Sequence, residues 1–197
     1  MTSKDRIQAA ALRLFARHGF EGVGLQRIAD EVGLHKSSLF HHYKGKVELA
    51  NDVFQIALRE VVARVRPLAS DPPSLDGLFA AVDELVDYLS DHPDAARLFL
   101  QGMAAPLDSP VDEPHASVEI FTILWSWLER ARRVRVIRHV NLRQALFNLI
   151  GVVLFYPAVA EQEPELAGPD PFSPTARRHR KQELRIALRG MLAPSAV

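Results

Sequence analysis

"LQRIADEVGLHKSSLFHHY", residues Leu25 to Tyr43, decides how the rest of this chain is read. Leu25, Ile28, Ala29 and Val32 recur at helical spacing and stop at Gly33, after which Leu39, Phe40 and Tyr43 mark a further segment. The spacing Ala29, Gly33, Leu39 fits a helix-turn-helix. Small Ala29 lets two helices approach, Gly33 allows the positive φ of a tight turn, and Leu39 closes a small core beneath the second helix. The same stretch gathers His35, His41 and His42 beside Lys36, which raises a metal site as the alternative. Two ligands on one helix need i, i+3 or i, i+4 spacing to meet at one ion. His41 and His42 are adjacent and diverge by about 100°, His35 precedes the helical residues, and no cysteine or acid lies between Gly33 and Lys46. No metal and no cofactor is expected here. The histidines, lysines and serines read instead as hydrogen-bond donors suited to phosphate oxygens and base edges.

Outward from this motif, helical periodicity covers the chain and no run of alternating polarity appears, so the fold class is all-α. Ile7, Ala10, Ala11, Leu14 and Phe15 face inward from a helix stopped by Gly19. After Gly45, a long helix carries Val47, Ala50, Val53, Phe54, Ala57 and Val61. Pro67 and the Pro-Pro pair before Ser74 then break the chain. Beyond them, Ser74 is expected to cap a helix faced by Leu78, Phe79, Val82, Leu85 and Leu89, and Pro93 to start the next. Pro106 to Pro114 reads as a loop. Val118, Phe121, Trp125 and Leu128 are expected to face the core from a helix ending in arginines, and Asn141 to cap the apolar helix that follows. Pro157 to Pro174 is expected to be a long exposed loop. Leu184, Leu188, Met191 and Leu192 stripe the last helix.

Composition narrows the function. The 197 residues hold no cysteine, which excludes disulfides and favours a cytoplasmic location. The first residues alternate charge with apolar side chains, unlike a secretory signal. The stretch Ala145 to Ala160, interrupted by Asn148 and Pro157, is expected to fall short of a membrane span and to be a buried helix. The 24 basic and 24 acidic residues cancel, but residues 1–50 hold eight Lys/Arg against five Asp/Glu. The front is thus +3 and the remainder −3, so the basic end faces a polyanion. No nucleophile elbow, HExxH or phosphate loop is present, and no enzyme is expected.

The stretch "IQAAALRLFARHGFEGVGLQRIADEVGLHKSSLFHHYKGKVEL" resembles the DNA-binding domain of the tetracycline-repressor (TetR) family of bacterial regulators. The resemblance implies a three-helix DNA-binding domain over 1–46 and a helical effector-binding and dimerisation domain over 47–197. It assigns Lys36, Ser37, Ser38, Phe40, His41 and His42 to the recognition helix. It sets Tyr43 and Lys46 near the phosphates, with Gln26 and Arg27 on the supporting helix. Three positions depart from the family pattern: Gly24 and His35 stand where hydroxyl residues are usual, and Phe40 replaces a tyrosine.

A homodimeric repressor of a double-stranded operator, released by a small apolar or amphipathic effector, is the function so implied. A helical adaptor without a DNA-reading role is the alternative. Apolar surface on helices 142–156 and 176–192 is expected to supply the dimer interface. Phe79, Val82, Phe99, Met103, Phe121, Trp125, Phe147 and Leu154 are expected to line the effector pocket, with Tyr88 and Asn148 orienting a polar end. Coupling is expected to run through the long helix ending near Pro67, as the one link between the parts. The run Arg177–Lys181 is expected to be a solvated or ion-paired face, with nucleic-acid binding as the alternative.

Overall fold

The structure, a computed structural model, describes residues 2–104 and 116–194. Among these, the regular elements are eleven helices. Helix α1 (Ser3–His18) begins with a capping box: the Thr2 hydroxyl accepts from the Asp5 amide at 3.2 Å, and the Asp5 carboxylate accepts from the Thr2 amide at 2.7 Å. Helices α2 (Leu25–Glu31) and α3 (Lys36–Leu39) follow, and α4 (Lys46–Val65) leads away from them. Ile7, Phe15, Ile28, Ala29, Leu39, Leu49 and Val53 form one core at this end.

A larger core fills the body, built from α5 (Pro67–Ser70), α6 (Leu75–Asp91), α7 (Pro93–Ala104), α8 (Ala116–Arg133), α9 (Leu142–Val159) and α11 (Pro174–Leu192) around Leu58, Phe79, Leu89, Trp127, Leu128 and Leu188. Ser74 and Asn141 cap as expected, accepting from the amides of Gly77 at 3.0 Å and Gln144 at 3.2 Å. Helix α6 pairs with α11 through a ladder of Arg177–Asp91 at 2.5 Å, Lys181–Asp87 at 2.6 Å and Arg185–Asp83. Arg180 donates to the Val152 carbonyl at 2.6 Å and stacks over Tyr156. Three residues of this basic run, Arg177, Arg180 and Lys181, are therefore spent on internal pairing, while Arg178 and His179 are exposed.

Several expectations are corrected. Helix α9 reaches 18 residues and is long and apolar enough to cross a membrane by length and composition, yet half of it is buried against its neighbours. Pro157 lies inside α9, and the stretch to Pro174 contains a further turn, α10 (Pro164–Ala167). Helix α8 is rotated from the expected phase: Val118 is exposed, whereas Ile120, Ile123, Leu124, Trp127 and Leu128 are buried. Helix α4 is not the one link between the parts, because α7 packs on α1. Leu98 of α7 joins the N-terminal core, and the Gln101 amide donates to the Ala16 carbonyl at 3.0 Å. The Pro106–Pro114 loop lies outside the described residues.

Candidate nucleic-acid interface

Helix α2 ends where the amide of Leu34 returns to the Ala29 carbonyl at 2.9 Å, with Gly33 at φ 65°. That left-handed turn is cheap for glycine and costly for other residues. Ala29 and Leu39 are buried on either side of it, so the three positions read from the spacing perform the packing expected of them. Gly24 and His35 sit at the N-caps of α2 and α3; glycine has no side chain to cap with, and the His35 ring makes no capping bond. Helix α3 spans only Lys36–Leu39; the amides of His42 and Tyr43 both return to the Leu39 carbonyl at 2.9 Å. His41 and His42 therefore continue the segment as a turn.

The exposed face carries Gln26, Arg27, Lys36, Ser37, Phe40, His41 and His42, with Ser38 half-buried. Phe40 is 51% exposed, a large apolar group left in water beside the donors. Among the described residues Lys36, His41 and His42 have no side-chain hydrogen bond or ion pair, so their donors are free for a ligand. Gln26 is held by Asp30 at 2.7 Å, and Arg27 donates to His18 Nε2 at 2.8 Å. Lys46 Nζ lies 4.1 Å from the centre of the Phe20 ring, at the start of α4. No cluster of His, Cys, Asp or Glu suited to a metal ion occurs among the described residues.

Residues 7–53 match the model described as bacterial regulatory proteins, tetR family. Residues 7–53 form a TetR-family domain. The HTH-type transcriptional repressor SCO4008 of Streptomyces coelicolor is 36% identical over 102 residues, 51% of this chain and 50% of that protein. The chain spans about half the length of the curated relatives it matches. Over the whole fold, the ketosteroid transcriptional regulator KstR2 of Mycobacterium tuberculosis superposes with a TM-score of 0.74 at 17% identity, covering 98% of this chain and 96% of that one. AibR, solved with isovaleryl coenzyme A and operator DNA, gives 0.72 at 17% identity, covering 94% and 97%.

Within the TetR-family domain, Tyr43 stands apart from the other residues assigned to DNA. Its ring is 4% exposed, and its hydroxyl donates to Asp52 Oδ2 at 2.7 Å while accepting from Gln8 Nε2 at 3.0 Å. Burial and the neighbouring Asp52 carboxylate push the phenol well above its ordinary range. Burial works against the Asp52 carboxylate too, but hydrogen bonds from Tyr43 and Gln8 and the charge of Lys4 outweigh it and hold Asp52 below the usual range. Tyr43 is thus a brace between α1 and α4. Gln8, Asp52 and Lys4 were missed in the sequence, since they lie on two helices far apart in the chain. Arg6, also missed, donates to the Val32 carbonyl and ties α1 to the end of α2.

In the body, Phe79, Val82, Phe99 and Leu154 are buried, and Met103, Phe121 and Trp125 are partly buried against the same core. Phe147 is corrected: it is 61% exposed on the outer face of α9, so it cannot line an interior pocket. Asn148 is exposed as well, accepting from Gln144 at 2.8 Å. Tyr88 is buried under Arg64, whose guanidinium lies 4.2 Å from its ring centre.

Proposed function

We propose that the chain is a homodimeric transcriptional regulator that represses from a palindromic operator and is released by a small apolar or amphipathic effector. The observation that carries it is the exposed face of α2 and α3, where Lys36, Ser37, His41 and His42 present donors on a rigid, basic three-helix scaffold. Such donors position a protein on phosphates and read base edges. The relatives are named as transcriptional regulators, and the same reading makes the protein a DNA-binding regulator rather than an enzyme, located in the cytoplasm.

Dimerisation is supported by the outer faces of α9 and α11. Phe147, Val152, Phe155 and Ile186 are exposed there, and Gly151 and Gly190 have nothing within 4 Å of where a Cβ would stand. Apolar side chains beside flat glycines suit the close approach of a second pair of helices. The effector is proposed to enter among Phe79, Val82, Phe99, Met103, Phe121, Trp125 and Leu154, where Met and aromatic side chains adapt to apolar guests. AibR's isovaleryl coenzyme A and KstR2's ketosteroid designation support an apolar or acyl-bearing class.

Selection of bound fragments from random duplexes tests the reading. The expected product is an approximate palindrome whose half-sites lie about 34–36 Å apart, one helical turn of DNA. A chain that shows no salt-dependent retention of duplex would instead be the helical adaptor.

A further inference from the structure

The pole opposite the DNA-reading face is strongly basic, and neither the operator contact nor the core uses it. Residues Glu129–Arg143, "ERARRVRVIRHVNLR", hold six arginines against one glutamate, giving 6 − 1 = +5 and leaving −5 for the rest of the chain. They form the last turn of α8, the connection, and the first turn of α9. Arg130 donates to the carbonyls of Leu68 and Asp71, just past the far end of α4, and Arg138 Nε donates to the Met191 carbonyl at 2.8 Å near the end of α11. Helix α4, at 20 residues and a rise of about 1.5 Å each, therefore separates this surface from α3 by about 30 Å.

Arg132, Arg133, Arg135, Arg138 and Arg143 are all exposed, and none makes an ion pair among the described residues. Favourable helix-end electrostatics explain only part of the set. Arg132 and Arg133 complement the negative end of α8, but Arg143 sits in the first turn of α9, where a cation opposes the dipole and no acid offsets it. Arg135 adopts φ 60°, a left-handed conformation that disfavours every side chain except glycine's hydrogen, asparagine and aspartate. Like charges, an unfavourable dipole and a strained backbone thus coincide in one short segment. An anion bound there relieves the first two.

We propose that this pole is a second nucleic-acid surface, which holds the phosphate backbone of a duplex other than the one read by α3. Arginine is the side chain that pairs phosphate oxygens with two parallel donors. A protein partner would need an apolar or aromatic centre, and a membrane would need apolar anchors among the cations. Val134 is the exposed large apolar side chain within the arginine segment. The surface lies on a helix end and a connection, so it tracks a backbone and carries no base readout. Together with the proposed reading of α3, this lets one molecule bridge two duplexes.

The test uses the full chain and random-sequence 20-base-pair duplexes carrying two different fluorophores. Energy transfer between them reports bridging. Wild-type protein is expected to bridge at low salt, and the triple variant Arg132→Gln, Arg133→Gln, Arg143→Gln to lose bridging at least tenfold while still binding one duplex. The lysine triple at the same positions keeps the charge and is expected to retain bridging. If the glutamine triple does not fold, a head-substituted Lys36→Ala, Lys46→Ala protein still decides: it should bind random duplex with a steep salt slope. Adding the single substitution Arg133→Gln to it should make that slope shallower by about 0.9, for the one phosphate no longer neutralised. Failure of the operator reading abolishes bridging by wild type but leaves this residual binding, so the two failures are distinguishable. Unchanged bridging by the glutamine triple, or no salt-dependent binding by the head-substituted protein, overturns the proposal. Capture on phosphatidylserine vesicles without capture on duplex overturns it in favour of a membrane.

Discussion

Phe155→Ala should separate the proposed dimer into folded monomers. Phe155 is 63% exposed on the outer face of α9, in line with Phe147 and Gly151 at one turn's spacing. A phenylalanine offers about 200 Å², so about 125 Å² of this side chain stands in water. Covering it at about 25 cal/mol per Å² contributes about 3 kcal/mol for each copy, or about 6 kcal/mol across a two-fold interface in which both copies are covered. Alanine keeps part of that area, which lowers the expected loss to about 4 kcal/mol, roughly a thousandfold in the dimer dissociation constant. Sedimentation equilibrium from nanomolar to 100 µM protein reads the constant directly. Because Phe155 leaves the core intact, the thermal midpoint of the monomer should not fall, and helical circular dichroism should be unchanged. An undiminished dimerisation constant in the variant, or a wild-type chain that stays monomeric at micromolar concentration, would refute the assignment of this face.

Lys36→Ala should weaken the selected operator by about 1–3 kcal/mol where Lys36 meets a guanine edge, whereas Lys46→Ala should weaken all sequences alike; competition binding against scrambled duplex separates the two. The raised phenol of Tyr43 makes the fold lose stability as pH rises above about 10, since the unfolded chain ionises first. The gap in melting temperature between wild type and Tyr43→Phe should therefore narrow between pH 9 and 11, and a gap that stays constant contradicts the buried phenol. Gly102→Ala places a Cβ 2.6 Å from the Phe54 ring and should destabilise the chain by about 1–3 kcal/mol in urea unfolding. An apolar effector that shifts the tryptophan fluorescence should weaken operator binding by the factor by which operator weakens it, and tight binding without that reciprocity excludes the compound as inducer.

The helix-turn-helix was legible because its decisive residues act locally. Gly33 must turn, Ala29 must be small and Leu39 must be buried, and each requirement leaves its mark at a fixed spacing. The faces of α8 and α9 were less legible for a physical reason. Helix α9 is apolar nearly all round, so periodicity does not say whether Phe147 or Leu146 points inward, and the structure buries Leu146. Trp125 and Trp127 are two residues apart and cannot share a face; the structure makes Trp127 the fully buried one. The Tyr43 brace depends on partners 35 residues away in one direction and 9 in the other, for which no local pattern exists. The polar residues of α3 were legible as a set, but the end of the helix at Leu39 was not, and neither was the anchoring of Tyr43 to Gln8 and Asp52 just beyond it.

That anchoring bears on how a signal could reach DNA. Consecutive residues on a helix diverge by about 100°, and α7 uses this to serve two cores at once: Leu98 is buried with Ile28 and Val53 at the head, while Phe99 is buried in the body. Gln101 then ties the same helix to the Ala16 carbonyl of α1, and Gly102 brings its backbone against Phe54 of α4. Close-packed interiors give way by discrete shifts, not by gradual compression. A guest lodged beside Phe99 and Met103 therefore has two rigid outlets, α4 and α7, and both end in the core beneath α3. Moving either helix alone would open a gap beneath Leu98 or Phe54, so a rotation of the whole head as one body is the response that keeps both contacts filled. A swing from 1:99 to 99:1 between two head orientations needs about 5.5 kcal/mol of differential effector binding. Two to four apolar groups of the guest, buried in one orientation and not in the other at about 1.5–3 kcal/mol each, reach that figure. The small effector of the proposed function is thus energetically sufficient without any rearrangement inside the three-helix head.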